Sequence, residues 1–158
     1  MMKRAMVLRI SLCLAVTAVL AGCYQRPAYD ESADARSTVH AALADARRAD
    51  KLVLLVFGAN WCPDCRVFDE AMADPVIARI VKRDFVVAKV DVGNWDKHPG
   101  VVAAFDNPIE GGIPAVVVAD DRGEVLFSTK AGQLSTARRM GMQAFMAFFE
   151  TLKATAES

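Results

Sequence analysis

Apolar positions along the chain change rhythm several times, and each rhythm predicts a different element. Residues 10–21 form a mostly apolar run behind Lys3, Arg4 and Arg9, and residues 24–35 (YQRPAYDESADA) are polar and carry Pro27. Between 34 and 50, Val39, Ala42, Leu43 and Ala46 recur at spacings of three and four, a helical stripe that Ser32 or Asp34 can cap. Residues 51–57 are almost continuously apolar, as expected of a central strand buried on both faces. Gly58-Ala59-Asn60 breaks that run, and a helix is predicted from about 62 to 72. The Asp74-Pro75 step interrupts it, because the residue before a proline disfavours the helical region. Helical spacing resumes over 76–82 (VIARIVK).

A second strand is predicted at 85–92 (FVVAKVDV), then a connection over 94–111 with a short helix near 101–105. Strands at 114–119 and 124–129 flank the turn Asp-Asp-Arg-Gly and form a hairpin. Ser135 can cap a terminal helix whose regular part Gly141 delays; Phe145, Phe148, Phe149 and Leu152 form its apolar face.

The order is therefore α-β-α-β-α-β-β-α. A right-handed crossover makes the first two strands parallel neighbours, and the hairpin extends the sheet antiparallel beside the first strand. With helices on both faces, the expected fold is α/β, a three-layer α/β/α arrangement around a mixed sheet of about four strands. No internal repeat or low-complexity segment is present.

The N-terminus reads as an address. Positive charge, a short apolar run and small residues are the layout of a secretory signal peptide. The run is shorter than the ~20 residues of a membrane-spanning helix. Leu20-Ala21-Gly22-Cys23 resembles the lipobox of bacterial lipoproteins, which implies lipid on the Cys23 thiol and cleavage before it. The expected organisation is a removed signal peptide (1–22), a lipidated tether (23–35) and a globular domain (36–158). Two or three acyl chains give stable anchoring. Tyr24, where an Asp commonly marks inner-membrane retention, weakly favours the outer membrane, facing the periplasm. Cys13 lies in the discarded run and carries no assigned chemistry.

Composition changes this picture little. An apolar fraction of 54% fits a packed core. Removing Lys3, Arg4 and Arg9 leaves 16 basic residues against 19 acidic ones, and no basic stripe points to nucleic acid.

The remaining cysteines, Cys62 and Cys65, are a Cys-x-x-Cys pair between an apolar strand and a helix. A strand running into a helix exposes the helix N-terminus, whose unpaired N–H groups and positive end stabilise a thiolate. Cys62 is thus the expected nucleophile. Cys65, one turn on and more buried, is the resolving thiol. Pro63 suits the first helical turn, and Arg66 adds nearby positive charge. Asp64 either caps the helix or tunes the thiolate and the choice of partner. A structural zinc site needs four ligands, whereas His40 and His98 are isolated, and His40 reads as a surface histidine. A static disulfide closing so short a loop would constrain the unfolded chain little. A reactive pair is the favoured reading.

The chain here resembles the thioredoxin superfamily. Trp61-Cys62-Pro63-Asp64-Cys65 matches its WCxxC site after the first core strand, and Ala88-Lys89-Val90-Asp91 resembles its second core strand. Gly112-Ile113-Pro114 matches its Gly-Ile-Pro segment, Gly123-Glu124-Val125 its hairpin turn, and Gly132 the glycine after its last strand. The resemblance implies a cis Pro114 facing Cys62, an Ile113 backbone that pairs with an extended substrate, and a Trp61 that shapes the docking surface. Trp95 and His98 either border that surface or pack their loop. One departure stands out. Many thioredoxins carry a buried Asp in the first strand that handles the proton of the second cysteine. Val56 stands there in this chain, while Lys89, the partner of that Asp, is retained. The Cys65 proton must then go to water, Lys89 or another carboxylate.

The expected function is a membrane-tethered, cell-envelope thiol–disulfide oxidoreductase without an organic cofactor, reducing specific protein disulfides and drawing electrons from a membrane donor. The alternative is a binding module of the same fold, a chaperone or a copper carrier using Met140, Met142 and Met146, although helical methionines more often fill core gaps.

Overall fold

The computed structural model describes residues 26–156 and 158. The expected signal peptide and the expected lipid site at Cys23 lie outside the described residues. Helix α1 (Ala35–Ala49) is capped by Asp34, which accepts from the Arg36 and Ser37 amides, and buries Ala35, Val39, Ala42 and Ala46. Strand β1 (Leu52–Gly58) follows, then α2 (Pro63–Met72), α3 (Pro75–Asp84) and β2 (Phe85–Asp91). Ala73 closes the first of these helices and Asp74 caps the second, with its carboxylate on the Val76 and Ile77 amides, as expected where a proline breaks helical spacing. A short α4 (Pro99–Ala104) precedes β3 (Ala115–Ala119) and β4 (Val125–Ser128), and α5 (Met142–Ala156) closes the chain.

The sheet order is β2-β1-β3-β4. β1 pairs parallel with β2 and antiparallel with β3, as the crossover and the hairpin require. Central β1 and β3 are buried throughout except for half-buried Leu52, so their continuous apolar runs reflect cover on both faces. On one face, α1 contacts β1 and β2, and Phe105 at the end of α4 lies 6.4 Å from Phe57. On the other, Phe68 of α2 packs against Phe145, Phe148 and Phe149 of α5. The result is the three-layer α/β/α fold anticipated from the apolar pattern.

Two local expectations differ. Ser135 does not cap the terminal helix; its hydroxyl donates to the Gly132 carbonyl at 2.8 Å. A 3-10 turn (Ala137–Arg139) comes first, and α5 starts only after Gly141. The second difference is at the front of the domain. Residues 28–31 are docked as a strap well before the expected boundary at 36. Tyr29 is 2% exposed. Its amide donates to Asn60 Oδ1 and its carbonyl accepts from Asn60 Nδ2, both at 2.9 Å. An aromatic ring buried against the core outweighs the polar composition of its neighbours.

Candidate active site

Cys62 is the N-cap of α2 rather than its first residue, in an extended conformation, with Pro63 opening the helix. Its Sγ accepts from the Cys65 amide at 3.1 Å, so a backbone donor left over at the helix start points at this sulfur. Cys62 and Cys65 are joined as a disulfide. Cys65 is fully buried and Cys62 is 3% exposed, so only a narrow part of Cys62 meets solvent. The Ile113 carbonyl lies 3.7 Å from Cys62 Sγ, and the Ile113–Pro114 bond is cis. Ile113 and Pro114 thus face the cysteines, at the head of β3.

Trp61 is exposed, and its indole N–H donates to the Gly93 carbonyl at 2.8 Å. Trp95 is also exposed, with its ring centroid 6.2 Å from that of Trp61. Trp95 therefore stands at the rim of the site, and does not fill the interior of its loop. His98 precedes α4 in a left-handed conformation without capping it through its side chain. His40 is exposed on α1.

Asp64 has a third role that neither capping nor tuning described. It is buried, accepts from the Arg138 amide at 2.8 Å, and lies 3.8 Å from Arg138 Nε. It fastens the 3-10 turn across the start of α2. Arg66 is exposed.

Val56 is 1% exposed and stands in register with Lys89. Lys89 has found its acid elsewhere: its ammonium pairs with Asp69, one turn beyond Cys65 on α2, and donates to the Ala28 carbonyl at 3.1 Å. The same ammonium lies 5.9 Å from the centroid of the Tyr29 ring. Burial, then the carboxylates of Asp69 and Asp91, push the Tyr29 phenol above its ordinary value. Asp91 is itself paired with Lys97 at 2.6 Å; that hydrogen bond raises the Lys97 pKa, and Lys97 also donates to the Glu31 carbonyl at 3.0 Å.

Tyr29, Asn60, Asp69 and Arg138 were missed from sequence. A tyrosine inside a polar, proline-containing segment was the one signal of a docked strap. Asp69, four residues after Cys65, lies on its helical face. Met140 and Met146 pack against the core and Met142 is exposed. Among the described residues no group of three His, Cys, Asp or Glu side chains converges, and no helix is long and apolar enough to cross a membrane.

The thioredoxin-like family model matches residues 34–120, more than half of the chain. The chain belongs to the thioredoxin-like family. A disulphide isomerase from Xylella fastidiosa Temecula1 is 43% identical, with a TM-score of 0.80, over 82% of this chain and 98% of that one. A thioredoxin from Thermus thermophilus is 22% identical, with a TM-score of 0.52, over 73% of this chain and 84% of that one, a likeness of fold. No curated protein matches. The chain thus has the thioredoxin-like fold of thiol–disulfide oxidoreductases, with the Cys-x-x-Cys pair in place.

Proposed function

We propose that the protein is a membrane-tethered thiol–disulfide oxidoreductase of the cell envelope that reduces disulfides of particular protein substrates. The observation that carries this reading is the Cys62 sulfur at the α2 N-terminus, bonded to Cys65 and accepting its amide, with the Ile113 carbonyl alongside. The 43% identity to a protein described as a disulphide isomerase supports exchange with protein disulfides.

In the proposed cycle the Cys62 thiolate attacks a substrate disulfide. One substrate sulfur leaves as a thiolate and takes up a proton, and a mixed disulfide forms. Cys65 loses its proton and attacks Cys62 Sγ, so the Cys62–Cys65 bond forms and the bond to substrate breaks. Two electrons pass from the pair to the substrate, and a membrane thiol donor restores the dithiol. The helix N-terminus and the Cys65 amide favour the Cys62 thiolate. The substrate backbone pairs along Ile113 as an added strand, while Trp61 and Trp95 give it an apolar rim. Pro63 and Asp64 shape the first turn of α2. Lipid on Cys23 holds the protein at the membrane, facing the periplasm.

The test is a redox titration of Cys62–Cys65 in defined thiol buffers, with acid trapping of its state in cells. A mostly reduced pair, and Cys65→Ser trapping substrates on Cys62, is the expected result. A fully oxidised, poorly reducible pair overturns the reductase. Cys62→Ser that leaves biological activity intact favours the binding module.

A further inference from the structure

The resolving cysteine has a neighbour supplied from outside the strand–helix motif. Gly58 ends β1 beside the site, and a Cβ built there would lie under 3.0 Å from both the Tyr29 hydroxyl oxygen and Cys65 Sγ. Both atoms therefore crowd one point, on the side of the sheet that also carries Val56 and Lys89. The strap is held in place by three side chains. Asn60 bonds both backbone groups of Tyr29, Lys89 holds the Ala28 carbonyl, and Lys97 holds the Glu31 carbonyl. So many contacts to a short segment fix where the phenol sits.

We propose that Tyr29 is the hydrogen-bond donor that stabilises the Cys65 thiolate during resolution, in place of an acid at Val56. This rests on the exchange chemistry proposed above. At that step the Cys65 proton passes to solvent on the side where Tyr29, Asp69 and Lys89 line a groove of about 1270 Å³. The thiolate left behind accepts from the Tyr29 hydroxyl while it attacks Cys62 Sγ. The Cys62–Cys65 bond forms, and the substrate sulfur departs with the electron pair of the broken bond and is then protonated.

The surroundings keep the phenol a donor. Asp69 from α2 and Lys89 from β2 face it as a pair, and Asp91 at the end of β2 is paired with Lys97. Desolvation and the two carboxylates hold the proton on the ring oxygen, so the hydroxyl donates across the whole physiological range. A hydrogen bond to a charged group is stronger than a neutral one, and Cys65 Sγ is buried in the core.

The experiment titrates Cys65 without turnover, by carbon NMR of its β-carbon in the full chain carrying Cys62→Ser. Adding Tyr29→Phe keeps the ring and its packing and removes only the hydroxyl. The expected result is an upward shift that leaves about tenfold less thiolate at a given pH. Coincident titrations with and without the hydroxyl overturn the proposal. In the otherwise intact chain, Tyr29→Phe slows resolution of a Cys62–glutathione mixed disulfide about tenfold while Cys62 alkylates at its usual rate. Equal resolution rates count against the proposal. If the unaltered chain forms no mixed disulfide at all, the oxidoreductase reading fails, and the Cys65 titration still decides the role of Tyr29.

Discussion

Lys89 stands across from Val56 in the sheet, yet its ammonium pairs with Asp69 on the covering helix. Behind the cysteines, the carboxylate that pairs with Lys89 stands on α2 and not on β1. With its carboxylate partner on α2, Lys89 also holds the strap at Ala28. Val56→Asp should therefore be poorly tolerated, because Lys89 is already engaged and an unpaired buried carboxylate is costly. In the Asp69→Asn background Lys89 is free to serve the new carboxylate. The penalty for Val56→Asp should fall there by about 1 kcal/mol or more, within the range for contacting residues. Urea unfolding of the four proteins measures this, and equal penalties in the two backgrounds would show that Lys89 does not choose between the sites.

Asp64 predicts a second effect, on stability. Asp64→Ala leaves the part-buried Arg138 amide without its acceptor, which costs about 1 kcal/mol. Asp64→Asn keeps an acceptor oxygen and should cost less. The exposed guanidinium, 3.8 Å away, adds little to either figure, because solvent screens it. Thermal unfolding separates the two variants. If alanine and asparagine behave alike, the charge matters and the amide contact does not.

The strap predicts a third. Gly58→Ala drives a methyl group into the Tyr29 phenol and Cys65 Sγ, so either the strap lifts or the core shifts, at about 1–3 kcal/mol. Asn60→Ala removes both backbone tethers of Tyr29. Hydrogen exchange at residues 28–31 should accelerate in both variants while β1 and β3 stay protected. Unchanged exchange in that segment would show the strap to be held by its ring alone.

Acid sensitivity follows from Asp84. Two hydrogen bonds from Arg83, at 2.9 and 2.6 Å, and then its charge, hold this carboxyl below its ordinary value. A depressed carboxyl contributes stability that is present above the unfolded-state value, about 3.9. It is lost as pH falls through the lower folded value. Asp84→Asn should thus be less stable than the native chain at neutral pH, with the gap closing below about pH 4. Unfolding midpoints measured from neutral to acid pH test the sign, and a gap that widens on acidification contradicts it.

Much of this was legible in the chain. The apolar runs at β1 and β3 are long because both strands are covered on two faces, and that cover is what makes them readable. The place of Cys62 and Cys65 was legible from the break between the apolar strand and the helix, and that of Ile113-Pro114 only through the family resemblance. Tyr29 and Arg138 were not. Each reaches the site through the tertiary fold, from 33 residues before Cys62 and 74 after Asp64, and no local period connects them. Asp69 was visible as a charge on a helix but not as the partner of Lys89, since only the packing of α2 on the sheet brings them together. Asp64 was ambiguous for a similar reason: its partner lies on a turn with no pattern of its own.

Trp95 is the clearest case of a loop residue placed by the fold beside the chemistry. Its backbone is left-handed, with φ of 68°, an uncommon state for a bulky side chain. Its ring lies exposed next to Trp61 rather than under the loop. Under the proposed function, two adjacent exposed aromatics beside Cys62 would give an extended peptide apolar surface to lie on, and aromatic anchors dominate such contacts. Trp95→Ala should therefore raise KM for a protein disulfide substrate about fivefold to thirtyfold, the equivalent of about 1–2 kcal/mol, with kcat little changed. Glutathione disulfide, too small to span the rim, should be reduced at the native rate. Trp95 has no packing role in the core, so the unfolding midpoint should not move. Steady-state kinetics with both substrates tests the separation, and an equal loss on the small and large disulfides would place Trp95 in the chemistry instead of the docking surface.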